Sequence, residues 1–339
     1  MTAPLVVMRA KAILVVIPTL NEAAHISGLL KQILTNAKDL PLRIVVADGG
    51  SEDGTLEQVE AIARQEARVD LMHNPQRIQS AGINRAVELY GEEADLLIRI
   101  DAHSVYPADY CRQLVREAEA TGADSVVVGM RTVGLGCFQR AVAAAQNARL
   151  GNGGSSHRRD ASAAYVDHGH HALMRMAAFR RLGGYDETFT HNEDAEFDAR
   201  LTASGGRLWL TDKVRPIYFP RSTAGELFRQ YRRYGRGRAR THVKHRKPLK
   251  LRQIILVMVA PSSLAAVVAP LAIALGLPWL GALMALPALL WLAASLGYGA
   301  VLGLVQHEPC VLLSGPAAVV MHFAWSLGFV EGLFGIGRR

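Results

Sequence analysis

Apolar positions divide the 339-residue chain into two regimes. In the first, a continuous apolar run at 12–17 and short, largely apolar segments at 43–47, 69–73, 94–100 and 125–128 alternate with longer polar–apolar stretches. Continuous runs of this length suit buried strands of a parallel sheet. Their alternation with helical stretches predicts a doubly wound α/β sheet. Residues 19–22 are expected to open the first helix, with Asn21 as its cap. In the second regime, residues 254–305 hold 52 positions without a charged side chain. A helical crossing takes about 20 residues, so this is room for two. The Gly276–Pro278 turn signal separates 254–275 from 281–304, and after a polar loop at 306–309 a third apolar stretch covers 311–334. Three spans fit the pattern, and so do two spans with an interfacial last helix. Three would carry Arg338 and Arg339 to the far side, against the positive-inside tendency.

Composition narrows the class. Half the chain is apolar and 20% is charged, which excludes a disordered chain. Cys111, Cys137 and Cys310 show no metal-site spacing and are expected as reduced thiols on the cytoplasmic side. The net charge of +8 is unevenly placed, because residues 221–252 hold twelve Lys/Arg and one acid, Glu226. A basic belt directly before a span marks the cytoplasmic face and attracts anionic lipid. This position argues against a nucleic-acid patch. Residues 1–10 lack the apolar core of a signal peptide. The expected organisation is a cytoplasmic catalytic domain over 1–220, a juxtamembrane belt over 221–252, and membrane helices over 253–339.

Ligands of open α/β sheets bind beyond the carboxyl ends of the strands. The chemistry-bearing residues fall there, at 18–22, 48–55 and 101–103. No Gly-x-Gly-x-x-Gly follows the first strand and no P-loop is present, so dinucleotide binding and P-loop hydrolysis lose their signatures.

Five fragments occur in order: Val-Ile-Pro-Thr-Leu-Asn-Glu (16–22), Val-Val-Ala-Asp-Gly-Gly-Ser-Glu-Asp-Gly-Thr (45–55), Arg-Ile-Asp-Ala-His (99–103), Gly-Gly-Tyr-Asp (183–186) and Asn-Glu-Asp (192–194). Together they resemble the family 2 nucleotide-sugar glycosyltransferases, over roughly residues 12–240. The resemblance implies a GT-A, Rossmann-like nucleotide-sugar domain and inversion at the anomeric carbon. Asp167-His-Gly-His-His, His191-Asn-Glu-Asp-Ala-Glu, Pro220-Arg-Ser and Tyr234-Gly-Arg-Gly-Arg-Ala-Arg-Thr resemble the branch of that family acting in succinoglycan synthesis. That branch implies a hexosyltransferase of a bacterial inner membrane. It would move glucose from UDP-glucose to an undecaprenyl-diphosphate-linked saccharide.

The residues support the resemblance chemically. Asp101 and His103 lie two apart at a strand end, so both can face one ion. A divalent metal there, Mn²⁺ or Mg²⁺, would neutralise the departing diphosphate. The family usually has a second Asp where this chain has His103, and imidazole suits Mn²⁺ better than Mg²⁺. By resemblance, Pro18, Thr19 and Glu22 hold the nucleoside and Asp48 reads the nucleobase. Asp53, in Asp-Gly-Thr, reads at least as well as a helix cap. Glu193 and Asp194 open a helical stretch ending at Ala203. Their carboxylates could simply balance its dipole. The resemblance makes Asp194, rather than Glu193, the general base that takes the acceptor proton. Gln230-Tyr-Arg-Arg233-Tyr234 resembles the Gln-x-x-Arg-Trp element of membrane members, where Arg meets diphosphate and Gln and the aromatic flank the acceptor. His170 and His171 are expected on the acceptor side, not in a zinc site. Two other classes stay in view: a basic membrane-anchored binding protein without catalysis, and a transporter subunit. Intact Glu22, Asp101 and Asp194 speak against the first, and uncharged spans against the second.

Overall fold

The computed structural model describes residues 11–152, 162–246 and 248–335. The expectations for residues 1–10, Arg338 and Arg339 lie outside the described residues, as does Lys247 of the belt. In chain order the first elements are β1 (Ile13–Thr19), α1 (Ile26–Asn36), β2 (Leu42–Asp48), α2 (Thr55–Ala63), β3 (Val69–His73), α3 (Gln79–Tyr90), β4 (Leu96–Arg99), α4 (Tyr110–Thr121) and β5 (Ser125–Val128). Then follow β6 (Arg131–Thr132), α5 (Cys137–Asn147), α6 (Arg149–Asn152), β7 (Ala164–Val166), β8 (His170–Arg175), α7 (Met176–Arg181), α8 (Glu193–Ala203), β9 (Leu208–Thr211) and β10 (Ile217–Tyr218). The last are α9 (Ala224–His245), α10 (Leu251–Val257), α11 (Val259–Ala274), α12 (Pro278–Val305), a 3₁₀ turn at Pro309–Leu313, and α13 (Ser314–Leu333).

The chain forms two compact units, one from Met1–Gly129 with Ser162–Pro216 and one from Met130–Ala161 with Ile217–Arg339, each as far as it is described. The first unit is built on an eight-stranded sheet of order β3-β2-β1-β4-β8-β5-β9-β7. All five strands read from the apolar runs are present. β1 lies parallel between β2 and β4, with Val15 level with Ile44 and Ile98. Burial explains the run: Leu14, Val15, Val16 and Ile17 are all solvent-free. α1 buries Ile26, Leu29, Leu30 and Ile33, the i, i+3, i+4, i+7 stripe of a helix facing a core.

Two local expectations change. The sheet is mixed, because β8 runs antiparallel to β4 and β5, and β7 to β9. α1 begins at Ile26 and not at 19–22. Asn21 has φ 58°, a left-handed conformation that cannot continue a helix. Its Oδ1 instead accepts the Glu52 N–H at 2.9 Å.

The second unit pairs β6 with β10 and packs α5, α9 and α13 around Val142, Ala145, Leu227, Tyr231, Ala317, Ala318, Met321 and Ala324. The segment carrying α5, expected within the catalytic domain, thus groups with the C-terminal helices because its apolar face is buried there. α9 starts at a capping arrangement in which Thr223 Oγ1 accepts the Glu226 N–H at 3.3 Å and donates to the Glu226 carboxylate at 3.0 Å. Three segments, Leu251–Ala274, Pro278–Val305 and Pro309–Leu333, are long and apolar enough to cross a membrane. Cys137 and Cys310 form a disulfide with Cα atoms 5.1 Å apart. This corrects the expectation of three reduced thiols. The two lie 173 positions apart, and nothing in their spacing announces a pair. Cys111 is free and buried.

Candidate active site

Parallel strands β1, β2 and β4 deliver their carboxyl ends to one edge of the sheet, and antiparallel β8 begins at that edge. Ile98 pairs with Leu173, so continuing the antiparallel register sets His170 and His171 near Ile100 and Asp101. α8 adds Glu193 and Asp194 from its first turn, where the helix dipole favours acids.

Asp101 and Asp194 meet across His170. Its Nε2 lies 3.6 Å from Asp101 Oδ2 and its Nδ1 3.6 Å from Asp194 Oδ2. Beneath them Arg99, only 5% exposed, sets Nη1 at 2.5 Å from Asp194 Oδ1 and 3.4 Å from Glu193 Oε1, with Nε 3.5 Å from Asp101 Oδ1. Gln79 Nε2 donates to Asp101 Oδ1 at 2.9 Å. The Asp101 N–H donates to the Tyr106 hydroxyl at 2.8 Å. Burial alone would raise the Asp101 pKa, but Arg99, His170 and His103 outweigh it and hold the carboxyl below its usual range. Burial opposes ionisation of Asp194 too, and Arg99 with His171 and His170 overcomes it, so Asp194 stays ionised. Glu193 goes the other way, pushed up to about 7 by burial and the Asp194 charge.

His171 is solvent-free. Its Nε2 lies 2.6 Å from Asp198 Oδ1 and its Nδ1 2.6 Å from the Tyr185 hydroxyl. Burial would lower its pKa, but Asp198 and Asp194 raise it. His168 Nδ1 meets the other Asp198 oxygen at 2.7 Å. His171 is thus enclosed between Asp198 and Tyr185. His170, 17% exposed, keeps a site-facing position.

The first two strand ends form one cross-braced loop pair. Asp48 is fully buried. Its Oδ1 accepts the Gly50 and Ser51 N–H groups at 2.7 and 2.8 Å, and its Oδ2 accepts the Ser51 and Thr19 hydroxyls at 2.6 and 3.2 Å. A carboxylate so engaged anchors the loop. Thr19 is also buried. Asp53 has the structural role: its Oδ1 accepts the Thr55 N–H at 3.1 Å and its Oδ2 the Ala23 N–H at 3.0 Å. Pro18 is partly buried near the end of β1. Glu22 Oε1 lies 2.9 Å from Nδ1 of the half-exposed His103.

Among the described residues no three His, Cys, Asp or Glu side chains converge as a metal group. The fit is to a cation that shares its shell with a ligand. Asp101 has Oδ1 held by Gln79 and Oδ2 3.6 Å from His170 Nε2, and His103, two positions on, adds an imidazole whose Nδ1 meets Glu22.

Residues 14–183 match the family described as Glycosyl transferase family 2. The chain belongs to glycosyl transferase family 2. It is 50% identical over 326 residues, 96% of each chain, to succinoglycan biosynthesis protein ExoA of Rhizobium meliloti (strain 1021). Its fold is similar to that of the mannosyltransferase PcManGT from Pyrobaculum calidifontis in complex with GDP-Man and Mn²⁺. There the TM-score is 0.60 at 17% identity, covering 97% of this chain and 88% of that one. GalNAc-T7 with UDP, GalNAc and Mn²⁺ matches at TM-score 0.50 and 15% identity, covering 68% of this chain and 48% of that one. The sheet is accordingly that of a GT-A glycosyltransferase.

Within this family 2 fold the sequence motifs assemble in the first unit: Glu22, Asp101, His103, His170, Glu193 and Asp194 all belong to it. Gln230, Arg233 and Tyr234 lie on α9 of the second unit. Gln230 Nε2 donates to the Tyr218 and Tyr234 hydroxyls at 2.9 and 3.1 Å, and Arg233 is exposed. The sequence alone assigns no role to Arg99, Asp198, Tyr185 or Gln79. Arg99 carried a signal, as the lone charge in the apolar stretch 96–100, where burial demands a partner. Asp198 and Gln79 sit in ordinary helical stretches and carried none.

Proposed function

We propose that the chain is a membrane-attached, inverting hexosyltransferase of exopolysaccharide synthesis. It would transfer glucose from UDP-glucose to a saccharide on undecaprenyl diphosphate, with its catalytic unit on the cytoplasmic side of the bacterial inner membrane. The likeness to a succinoglycan biosynthesis protein across 96% of the chain supports the pathway class. The observation that carries the chemistry is the meeting of Asp101 and Asp194 at His170, 3.6 Å from each. A sugar transfer needs a site for the diphosphate and a carboxylate for the acceptor hydroxyl, held together.

Asp101 and His103 would hold a divalent cation, Mn²⁺ or Mg²⁺. Bound there, it supplies charge neutralisation for the departing diphosphate. Glu22 fixes His103 through the 2.9 Å contact. Arg99 keeps Asp194 ionised, so a carboxylate stands ready to accept the acceptor proton at Oδ2. Arg233 would pair with diphosphate oxygens, with Gln230, Tyr234 and His170 toward the acceptor. The basic belt of α9 would engage anionic lipid headgroups.

The test is a donor panel. Membranes containing the chain are incubated with UDP-glucose and other nucleotide sugars, lipid-linked acceptors, and Mn²⁺, Mg²⁺ or a chelator. Label should pass from UDP-glucose to the lipid fraction and stop on chelation. Transfer from another donor would replace the sugar in this reading. Transfer that ignores the chelator would remove the Asp101/His103 metal role.

A further inference from the structure

α13 has the length and hydropathy of a membrane span and packs on α12, where a Cβ on Gly299 would lie 2.2 Å from Gly315 N and Trp291 Nε1 lies 3.3 Å from His322 Nδ1, but its most extensive partner is another helix. It runs beside α9, and the contacts advance together along both helices. Leu227 and Tyr231 share a cluster with Ala317, Ala318 and Met321. Further along, a Cβ on Gly235 would lie 2.0 Å from the Trp325 carbonyl oxygen, and one on Gly328 would lie 2.0 Å from that of Arg232. A Cβ on Gly332 would meet Ala239 at 2.7 Å. The two helices are therefore parallel and in backbone contact over most of their length. Glu331, near the end of α13, takes Arg232 Nε at 2.9 Å and Arg236 Nε at 2.8 Å.

α9 carries seven Lys/Arg among its 22 residues. Such a helix cannot lie in hydrocarbon, where each charge is costly and must find a partner or water. A partner helix held along its length shares its depth.

The end of α12 gives an independent indication. Arg140 Nη1 of α5 lies 3.0 Å from Glu308 Oε1, and Cys137 at the start of α5 is bonded to Cys310. Residues 130–161 leave and rejoin the nucleotide-sugar unit in sequence and contain no apolar stretch of spanning length. α5 thus stays on the side of the membrane where that unit is. The chain must be back on that side when it leaves α12.

We infer that the chain crosses the membrane twice, outward through α10–α11 and back through α12, and that α13 stays beside α9 on the catalytic side without making a third crossing. The partner of the α9–α13 face is the bilayer surface. Burial follows the same division. Within their most apolar windows the first two segments are 11% and 22% buried in protein, and the third 44%. Leu264, Val267 and Leu271 on α11 and Leu283, Leu286 and Leu290 on α12 stand exposed, as lipid-facing side chains do. This inference rests on the membrane attachment in the proposed function, not on the choice of sugar.

Epitope tags test it in the full-length chain. One tag is placed before Met1, one between Gly276 and Leu277, and one after Arg339, in three proteins that each retain transferase activity. Protease is then added to sealed vesicles of a single orientation. The Met1 and Arg339 tags should be lost together, and the 276–277 tag should survive in the same vesicles and be lost in those of opposite orientation. An Arg339 tag protected while the Met1 tag is cleaved would mean a third crossing and overturn the inference. Loss of all three tags together in one orientation and survival of all three in the other would show that no segment crosses, which overturns the membrane reading beneath it as well.

Discussion

Arg99 Nη1 lies 2.5 Å from Asp194 Oδ1, joining a strand end to a helix start 95 positions away. Both groups are nearly enclosed, with side chains 5% and 14% exposed. Removing one partner of a buried pair leaves the other charge unpaired, at a cost of about 3–5 kcal/mol. Arg99→Leu should destabilise the detergent-solubilised protein by that order in a thermal or denaturant unfolding experiment. A change within about 0.5 kcal/mol, the range of ordinary surface substitutions, would mean that the arginine holds nothing.

Glu193 and Asp194 are separated by their environments. Asp194 is ionised throughout the working range, whereas Glu193 gains a proton as pH falls through about 7. If Asp194 is the base, Glu193→Gln should keep substantial transfer activity. If Glu193 were the base, wild-type kcat/KM would rise through about pH 7 and the Gln variant would lose activity. A pH–rate profile of both proteins separates the two.

The His171–Asp198 pair should leave a pH signature in stability. The folded His171 pKa lies above its ordinary 6.5, so its contribution is full below 6.5 and fades as pH rises through the raised value. The folded Asp198 pKa lies below its ordinary 3.8, so its contribution is full above 3.8 and fades as pH falls through the lowered value. The stability gap between wild type and Asp198→Asn should be largest between these two ordinary values. It should shrink on the alkaline side as His171 loses its proton. A gap independent of pH would show that His171 is neutral in the folded protein.

Gly235 and Gly328 let α9 and α13 touch at the backbone. Gly235→Ala forces the helices apart and should destabilise the protein by about 1–3 kcal/mol, the usual cost of overpacking. Unchanged unfolding of this variant would deny the close contact.

Sequence pattern made much of this legible because burial writes itself into long apolar runs. β1 through β5 were visible for that reason, and so were the three membrane-length segments. β8 was hidden, since His170-His171 interrupts its apolar pattern and the antiparallel direction has no signature in composition. Residues of the candidate site were legible where they follow a strand, as Asp101 does, or open a helix, as Asp194 does. Asp48 looked like a ligand contact because an acid at a strand end is usual for both a binder and a loop anchor. Its four hydrogen bonds, from Gly50, Ser51 and Thr19, show the anchoring part, which the sequence does not reveal. The Cys137–Cys310 pairing was unreadable, as two helical segments distant in sequence must first pack before the sulfurs meet.

The most direct test of the central claim is transfer by Asp194→Asn, measured as labelled glucose passing from UDP-glucose to the lipid-linked acceptor, alongside binding of UDP-glucose to the same protein. The expected result is a fall in transfer of about 10²–10⁴-fold, the scale of a lost general base, with donor binding retained. Near-normal transfer by the folded variant would contradict a role for Asp194 as the base and, with it, the proposed site.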